Sequence, residues 1–422
     1  MVKKTKELLA SGTEVIYEAT FKEYGIFAMA DILVKNGNAW DIYEVKASTE
    51  TKEHHISDTS IQWYALSKSI KLNRAFVMHI NNQYLRGKEL NIHELFTIDD
   101  ITDLVLQKQC DIDGQLFELE DMLKNEMPNI DIGKHCSDPY ACDFGTYCWA
   151  HIPKENSVFH LSYAMGKQWQ LYYDGKLSID DIPNDFHLGK NASLQIQHYK
   201  SGEIKIDKKK IQEFLDTIEY PINFFDFETF QNAIPRFENQ RPYAQVPFQY
   251  SLHILHVDGT LEHKEFLGDE NSDPRSALSR QMLQDIMPTG SIVAFNQSFE
   301  QKQIKNLAEV CVDDKDALLA LNERFVDLAY PFQYKHYYHP KLNGKYSIKV
   351  VLPTLFPNDE ELDYKKLGSI QNGGDAMDTF ANLHLLKDKS KRETIRKDLL
   401  AYCYLDTLAI VKIWEKLVEI AK

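Results

Sequence analysis

The chain has 422 residues, 43% of them apolar and 12% aromatic, with a formal net charge of −15. That length and apolar content predict two or three globular domains with sizeable cores, and the acidity argues against a protein that coats nucleic acid non-specifically. No run is long enough for a membrane span, the N-terminus has no signal-peptide apolar region, and six cysteines in this length are no secretory disulfide framework, so a cytoplasmic protein with no membrane partner is expected.

Residues 1–153 read as one α/β domain. FAMADILVK and AWDIYEVKA alternate apolar and polar positions and are joined by Asn36-Gly37-Asn38, a hairpin signal. A four-residue loop from Asn36 to Ala39 would pair residue 35 with 40 and set Asp31 opposite Glu44. Glu44 and Lys46 then share a strand face. Two acids and a lysine suit a metal-dependent hydrolase, the acids holding the ion and the ammonium orienting water or stabilising charge. Glu18, in VIYEATF, is a third candidate ligand. Gln62 and Tyr64, on the helix that follows, are candidate substrate contacts.

Cys136, Cys142 and Cys148 are spaced C-x5-C-x5-C, with Pro139 and Gly145 as bends. Thiolates this close suit a [4Fe–4S] cluster or Zn²⁺, with Cys110, His135 or His151 as a fourth ligand; three metal-free thiols are the alternative. Residues 154–215 read as a helical linker, with turns at Gly166, Gly175, Pro183 and Gly189.

Residues 216–422 alternate strand and helix and predict an α/β sheet. Asp226 and Glu228 lie two apart in the apolar run PINFFDFETF, on one face of a strand. In SIVAFNQSFEQKQIKNLA, a strand runs into a helix with Asn296 as N-cap and Glu300 one turn in. Tyr402 and Asp406, in LLAYCYLDTLAIV, lie four apart on one helix face. Four carboxylates in apolar surroundings repel each other unless cations neutralise them. Two hard divalent ions fit such a set, and phosphodiester hydrolysis is their chemistry. Asp226 is the candidate bridging ligand. Glu228, Glu300 and Asp406 complete the set, and the Tyr402 hydroxyl would orient the attacking water. Asp327, in FVDLAYPF, is a further acid nearby, equally readable as a strand-end or cap residue.

The order Asp-x-Glu, Asn-x-x-Phe-Glu, Tyr-x-x-x-Asp resembles the three motifs of the DnaQ-like 3′–5′ exonucleases, tyrosine subtype. That resemblance implies an RNase H-like fold, Mg²⁺ or Mn²⁺, and single-stranded DNA or RNA ends as substrate. One departure is Glu300, where the family has Asp. Asp31, Glu44-Val45-Lys46 and the downstream Gln62-x-Tyr64 resemble the RecB-like PD-(D/E)xK nucleases, which implies a restriction-endonuclease-like N-terminal fold. In such nucleases three cysteines follow the motifs and one precedes them, together holding a [4Fe–4S] cluster. The preceding cysteine is missing here, so an N-terminally short, impaired centre is expected. The segment YSIKVVLPTLFP with Asn372-Gly373-Gly374 resembles a bacterial domain-of-unknown-function family that joins the two nuclease types; Lys349 would then contact a substrate phosphate. Residues 155–190 resemble helix–hairpin–helix elements. A different class remains open: an inactive nucleic-acid-binding or scaffold protein derived from such nucleases.

Overall fold

The computed structural model describes residues 1–23 and 25–422. The chain forms two compact α/β units. Unit 1 comprises residues 1–148 and 232–244; unit 2 comprises residues 149–231 and 245–422. The helical stretch 154–215 lies within unit 2.

Unit 1 opens with α1 (Val2–Ala10), then strands β1 (Val15–Glu23), β2 (Ile26–Asn36) and β3 (Ala39–Lys46), helix α2 (Glu53–Ser67), strands β4 (Leu72–Ile80) and β5 (Phe96–Asp100), and the long α3 (Thr102–Lys124). The strands lie side by side in chain order. All neighbours are antiparallel except β3 and β4, which α2 connects as a crossover. The β2–β3 turn is tighter than the sequence predicts. Asn36 pairs with Ala39, so only Gly37 and Asn38 form the loop, and Gly37 sits at φ +61°, where glycine carries no Cβ penalty. The register is the expected one, with Lys35 opposite Trp40. Leu33 and Ile42 from the sheet pack with Trp63 and Leu66 of α2 and Val105 and Ile112 of α3.

Unit 2 continues with α4 (Lys167–Tyr173), α5 (Lys190–Ser201) and α6 (Lys208–Leu215), then β6 (Ile222–Phe230), β7 (Val246–Leu255), β8 (Leu261–Leu267), α7 (Arg275–Asp285), β9 (Ile292–Ala294), α8 (Ser298–Val310), β10 (Phe325–Asp327), α9 (Ile348–Leu355), α10 (Gly373–Leu383) and α11 (Lys389–Ala421). The sheet order is β10-β9-β6-β7-β8. The meander β6-β7-β8 is antiparallel, while β9 and β10 run parallel to β6. β6 is central, and this explains its unbroken apolar run. Phe225 and Phe227 pack against α7 and α8 on one face. Ile222 and Phe224, four and two residues before Asp226, pack against α6, α9 and α11 on the other. Each buried phenylalanine contributes about 2–3 kcal/mol. Those contributions fix the strand in a register that turns its two acids toward α11.

Helix α11 is 33 residues long, about 50 Å at 1.5 Å per residue. Its inner face, Leu405, Ala409, Ile410, Ile413 and Leu417, enters the same core as Phe224. Three polar side chains of β7 anchor it. Gln249 donates to the Leu399 carbonyl at 2.9 Å. Ser251 and His253 both meet the Thr407 hydroxyl, at 2.6 and 2.8 Å. Gln249, Ser251 and His253 are alternate residues, so they share one face. They lie opposite Glu228, Asp226 and Phe224.

Candidate metal centre

Two elements supply the acids where β6 meets α11. Asp226, Glu228 and Asp406 each place a carboxylate oxygen so that all three atoms lie within 4.8 Å of one another. Among the described residues, this is the sole such group of three or more His, Cys, Asp or Glu side chains. The ladder between β6 and β7 shifts register just after Glu228. Such an irregularity bends the strand and re-aims neighbouring side chains. Tyr402 lies one turn before Asp406 on α11 and is buried. Its hydroxyl is near enough to Asp406 to favour that carboxylate's charged form.

The acids are under electrostatic load. Burial pushes Asp226 well above the usual carboxylate range, and repulsion from Asp406, Glu300 and Glu228 adds to it. Glu228 is raised by burial and by Asp406, with Lys349 partly offsetting. Burial lifts Asp406 to about 6, against the Tyr364 and Tyr402 hydroxyls, which favour its charged form. Glu300 lies in the first turn of α8, is 3% exposed, and is lifted to about 8 chiefly by burial, with Asp327 adding repulsion. Its Oε2 is buried without a hydrogen-bond partner among the described residues. Glu300 is thus felt by Asp226 and Glu228 but stands outside the tight triad. A buried, unpaired carboxylate oxygen beside three crowded carboxylates is what a divalent cation would relieve. The donor set, all oxygen, suits Mg²⁺ or Mn²⁺.

Asn296 departs from the expected N-cap role. It takes a left-handed conformation at φ +68°, and the helix starts at Ser298 with Gln297 in the cap position. Asn296 N–H instead donates to Asp327 at 2.9 Å, and the same carboxylate oxygen accepts from Ala329 N–H at 2.9 Å. Asp327 therefore clamps the turns after β9 and β10. Asparagine tolerates the left-handed region, which accounts for its presence there.

Two neighbours are not marked as site residues by the sequence, Gly373 entering there only within Asn372-Gly373-Gly374. Tyr364 donates to Asp406 Oδ1 at 2.6 Å, and its ring lies 5.8 Å from that of Tyr402. It sits in an irregular segment between α9 and α10, where no periodicity could mark it. Gly373 opens α10 beside the acids. A Cβ there would stand 3.8 Å from Glu228 Oε2 and 3.9 Å from the Tyr402 hydroxyl. Lys349, near the start of α9, is exposed and acts on Glu228 and Asp406 through its charge.

Unit 1 gathers a smaller polar cluster. Lys46 pairs with Glu44 at 2.7 Å and with Asp58 at 2.8 Å. Gln62 donates to Glu44 at 2.7 Å. Burial raises Glu44, its hydrogen bonds to Lys46 and Gln62 oppose this, and Asp31 adds repulsion. Burial pulls Lys46 down, but Asp58 and Glu44 outweigh it and hold the ammonium charged. Asp31 accepts Val45 N–H at 2.7 Å. Glu18 is exposed, at φ +55°, where the β1–β2 ladder skips the Glu18/Asp31 position. Tyr64 turns away: its ring is in the core and its hydroxyl bonds Asp113 of α3. Residues two positions apart on a helix lie about 200° around its axis, so Gln62 and Tyr64 cannot share a face.

The cysteines are not gathered. Cys136 and Cys148 are half-buried and Cys142 exposed, all as free thiols, and they form no ligand group among the described residues. Cys136 and Cys148 lie on separate single turns, Lys134–Ser137 and Gly145–Cys148. Cys110 is exposed on α3, and His151 bonds the Tyr172 hydroxyl at 3.1 Å. The expectation of a [4Fe–4S] or Zn²⁺ site is corrected accordingly: close spacing in sequence does not here become convergence of sulfur atoms.

Residues 223–347 match the family described as Domain of unknown function (DUF2779). The match falls in unit 2 except for residues 232–244, which belong to unit 1. The match takes in Asp226, Glu228 and Glu300 and stops short of Tyr364, Tyr402 and Asp406. The chain is also similar to two bacterial proteins. One is an uncharacterized protein of Ureaplasma parvum, 28% identical over 204 residues, which are 42% of this chain and 28% of that protein. The other is an uncharacterized protein of Mycoplasma genitalium, 25% identical over 234 residues, which are 51% of this chain and 33% of that protein. The chain thus spans about a third of the length of the curated relatives it matches. No solved structure matches. Among the described residues, no helix is long and apolar enough to cross a membrane.

Proposed function

We propose that unit 2 is a two-metal 3′–5′ exonuclease of the DnaQ-like, RNase H-fold kind, acting on single-stranded nucleic acid. The observation that carries this reading is the triad Asp226, Glu228 and Asp406 within 4.8 Å, with Tyr402 one turn before Asp406 on α11. The sheet supports it too, since the acids sit on the central strand and on the helix crossing it. Asp226, Glu228, Asp406 and Glu300 would hold Mg²⁺ or Mn²⁺. When bound, the ions lower the pKa of water and neutralise charge on the phosphate. Tyr402 would orient the attacking water through its hydroxyl, and Tyr364 would hold Asp406 in place. Lys349 would meet a phosphate of the strand. The longer arm of Glu300 would reach toward the metal from outside the triad.

The test is cleavage of 3′- and 5′-labelled single-stranded DNA and RNA with Mn²⁺, beside Asp226→Ala. Stepwise 3′ shortening that the variant loses supports the exonuclease and chooses the sugar. No cleavage with any divalent metal moves the protein to an inactive nucleic-acid-binding or scaffold role.

A second, RecB-like PD-(D/E)xK centre in unit 1 is favoured by the cluster of Glu44, Lys46, Gln62 and Asp31. Gln62 Oε1 is buried without a partner among the described residues, beside Glu44. Cleavage remaining in Asp226→Ala and lost on adding Glu44→Ala would support it.

A further inference from the structure

A cavity of about 600 Å³ lies in unit 2 between α6, the end of β10 and residues 330–336. It adjoins the start of α8, the helix that carries Glu300. Gln297, in its wall, caps that helix. Asp327, also in the wall, clamps Asn296 and repels Glu300. The volume falls in the range of small-ligand sites.

Its chemistry is mixed in a particular way. Phe214 and Tyr330 form an aromatic side, their rings 5.6 Å apart and 9° from parallel. Gln297 Oε1 and His336 Nδ1 are buried with no hydrogen-bond partner among the described residues. Both residues line the cavity, and Thr217 adds a hydroxyl. Unpaired buried polar atoms are costly unless something satisfies them. Lys210 is offset by Glu213, and Asp327 leaves the lining acidic on balance. A phosphate would be repelled there. A neutral planar group with donors and acceptors on its edge fits the aromatic side, and a turn of the Gln297 amide or the His336 ring would bring their orphan atoms to that edge.

We propose that this cavity receives one nucleobase of the substrate strand, its edge hydrogen-bonded by Gln297 and His336. The source of the base, a strand end, rests on the exonuclease reading; the recognition of a base does not. The cavity then sets which nucleotide of the strand is registered beside Glu300, and through it any base preference.

The test uses the full chain in EDTA, with Asp226→Ala in parallel so that cleavage plays no part. The four ribonucleosides are titrated by calorimetry or NMR, with ribose 5-phosphate as a baseless competitor. The expected result is saturable binding of at least one nucleoside, no competition by ribose 5-phosphate, and weakening of about fivefold in each of Gln297→Ala and His336→Ala, the loss of one hydrogen bond. The two variants are made separately and their fold checked by circular dichroism, so misfolding of one leaves the other decisive. Absence of nucleoside binding, equal competition by ribose 5-phosphate, or indifference to both variants overturns the proposal. Oligonucleotides with one abasic residue at each of the last few 3′ positions then decide the source. Weakened binding at one position assigns the cavity to the strand. No positional effect, with free nucleosides still bound, assigns it to free nucleosides and overturns the strand proposal. Nucleoside binding without exonuclease activity would sink the exonuclease alone, and the converse would sink the cavity assignment alone.

Discussion

Replacing Glu300 by glutamine should stabilise the metal-free protein at neutral pH and leave it unchanged in acid. The carboxyl titrates near 4.5 ordinarily and near 8 in the fold, because it is buried and faces Asp327. A raised carboxyl pKa means the unfolded chain releases its proton first. Stability is therefore complete below about pH 4.5 and falls as pH rises toward 8. At pH 7 the gap is about 2.5 pH units, or about 3 kcal/mol at 1.36 kcal/mol per unit; above pH 8 it approaches about 5 kcal/mol. Glutamine keeps the shape and removes the titration. Urea unfolding in EDTA at pH 4.5, 7 and 8.5 would measure the difference. The expected gain in Glu300→Gln is near zero, about 3 and about 5 kcal/mol in that order. With saturating Mn²⁺ the order should reverse, since the wild type gains the ligand's binding energy and the variant gains less. A difference between the two proteins that does not change with pH would refute the account of Glu300 as a strained, cation-seeking carboxylate.

Tyr402→Phe should lower the cleavage rate about a hundredfold while Mn²⁺ still raises Tm; an unchanged rate would remove the hydroxyl from the chemistry. Tyr364→Phe frees Asp406 Oδ1 and should weaken Mn²⁺ binding about tenfold or more, read by calorimetry; unaltered affinity would make the 2.6 Å bond merely structural. Mn²⁺ affinity in the wild type should rise at least tenfold per pH unit from 6 to 8, because the ion displaces the proton held by Glu300 at about 8 and any held by Asp226 and Glu228, which burial also raises. Titration in two buffers of different ionisation enthalpy counts those protons, and none released at pH 7 would contradict it.

What the sequence makes legible is whatever a period carries. Asp226 and Glu228 announce themselves because two acids at spacing two interrupt an apolar strand, and Tyr402 and Asp406 because spacing four marks one helix face. The β2–β3 register follows from its glycine turn, although the loop is two residues and not four. What stays hidden lacks a period. Tyr364 and Gly373 sit in or beside irregular chain, and only tertiary packing sets them beside the acids. Strand β10 has three residues, too few to show alternation. Asn296 reads as a helix cap by type, yet its left-handed backbone and the clamp to Asp327 are settled by the neighbouring strand end. Gln62 and Tyr64 illustrate the reverse hazard: a short motif in sequence splits across two faces of a helix. The cysteines do likewise, because nearness along irregular chain does not impose convergence.

The acids raise the question of how a fold tolerates them. Phe224, Phe225 and Phe227 hold β6 between two cores, so the strand cannot swing Asp226 and Glu228 out to water. Helix α11 cannot retreat with Asp406 either, because Gln249, Ser251 and His253 fasten it at Leu399 and Thr407. Burial pulls His253 down to about 3, so this anchor stays neutral at working pH and adds no charge of its own. The anchors run along the β7 face beside the acids, strand position for strand position, from Glu228 opposite Gln249 to Phe224 opposite His253. Repulsion among the carboxylates thus cannot relax by movement and is expressed as raised pKa values. The low-dielectric walls that make the metal-free carboxylates costly also strengthen their attraction for a cation. A site built this way is preformed: an arriving ion meets ligands already placed, and displaces a proton instead of ordering a loop.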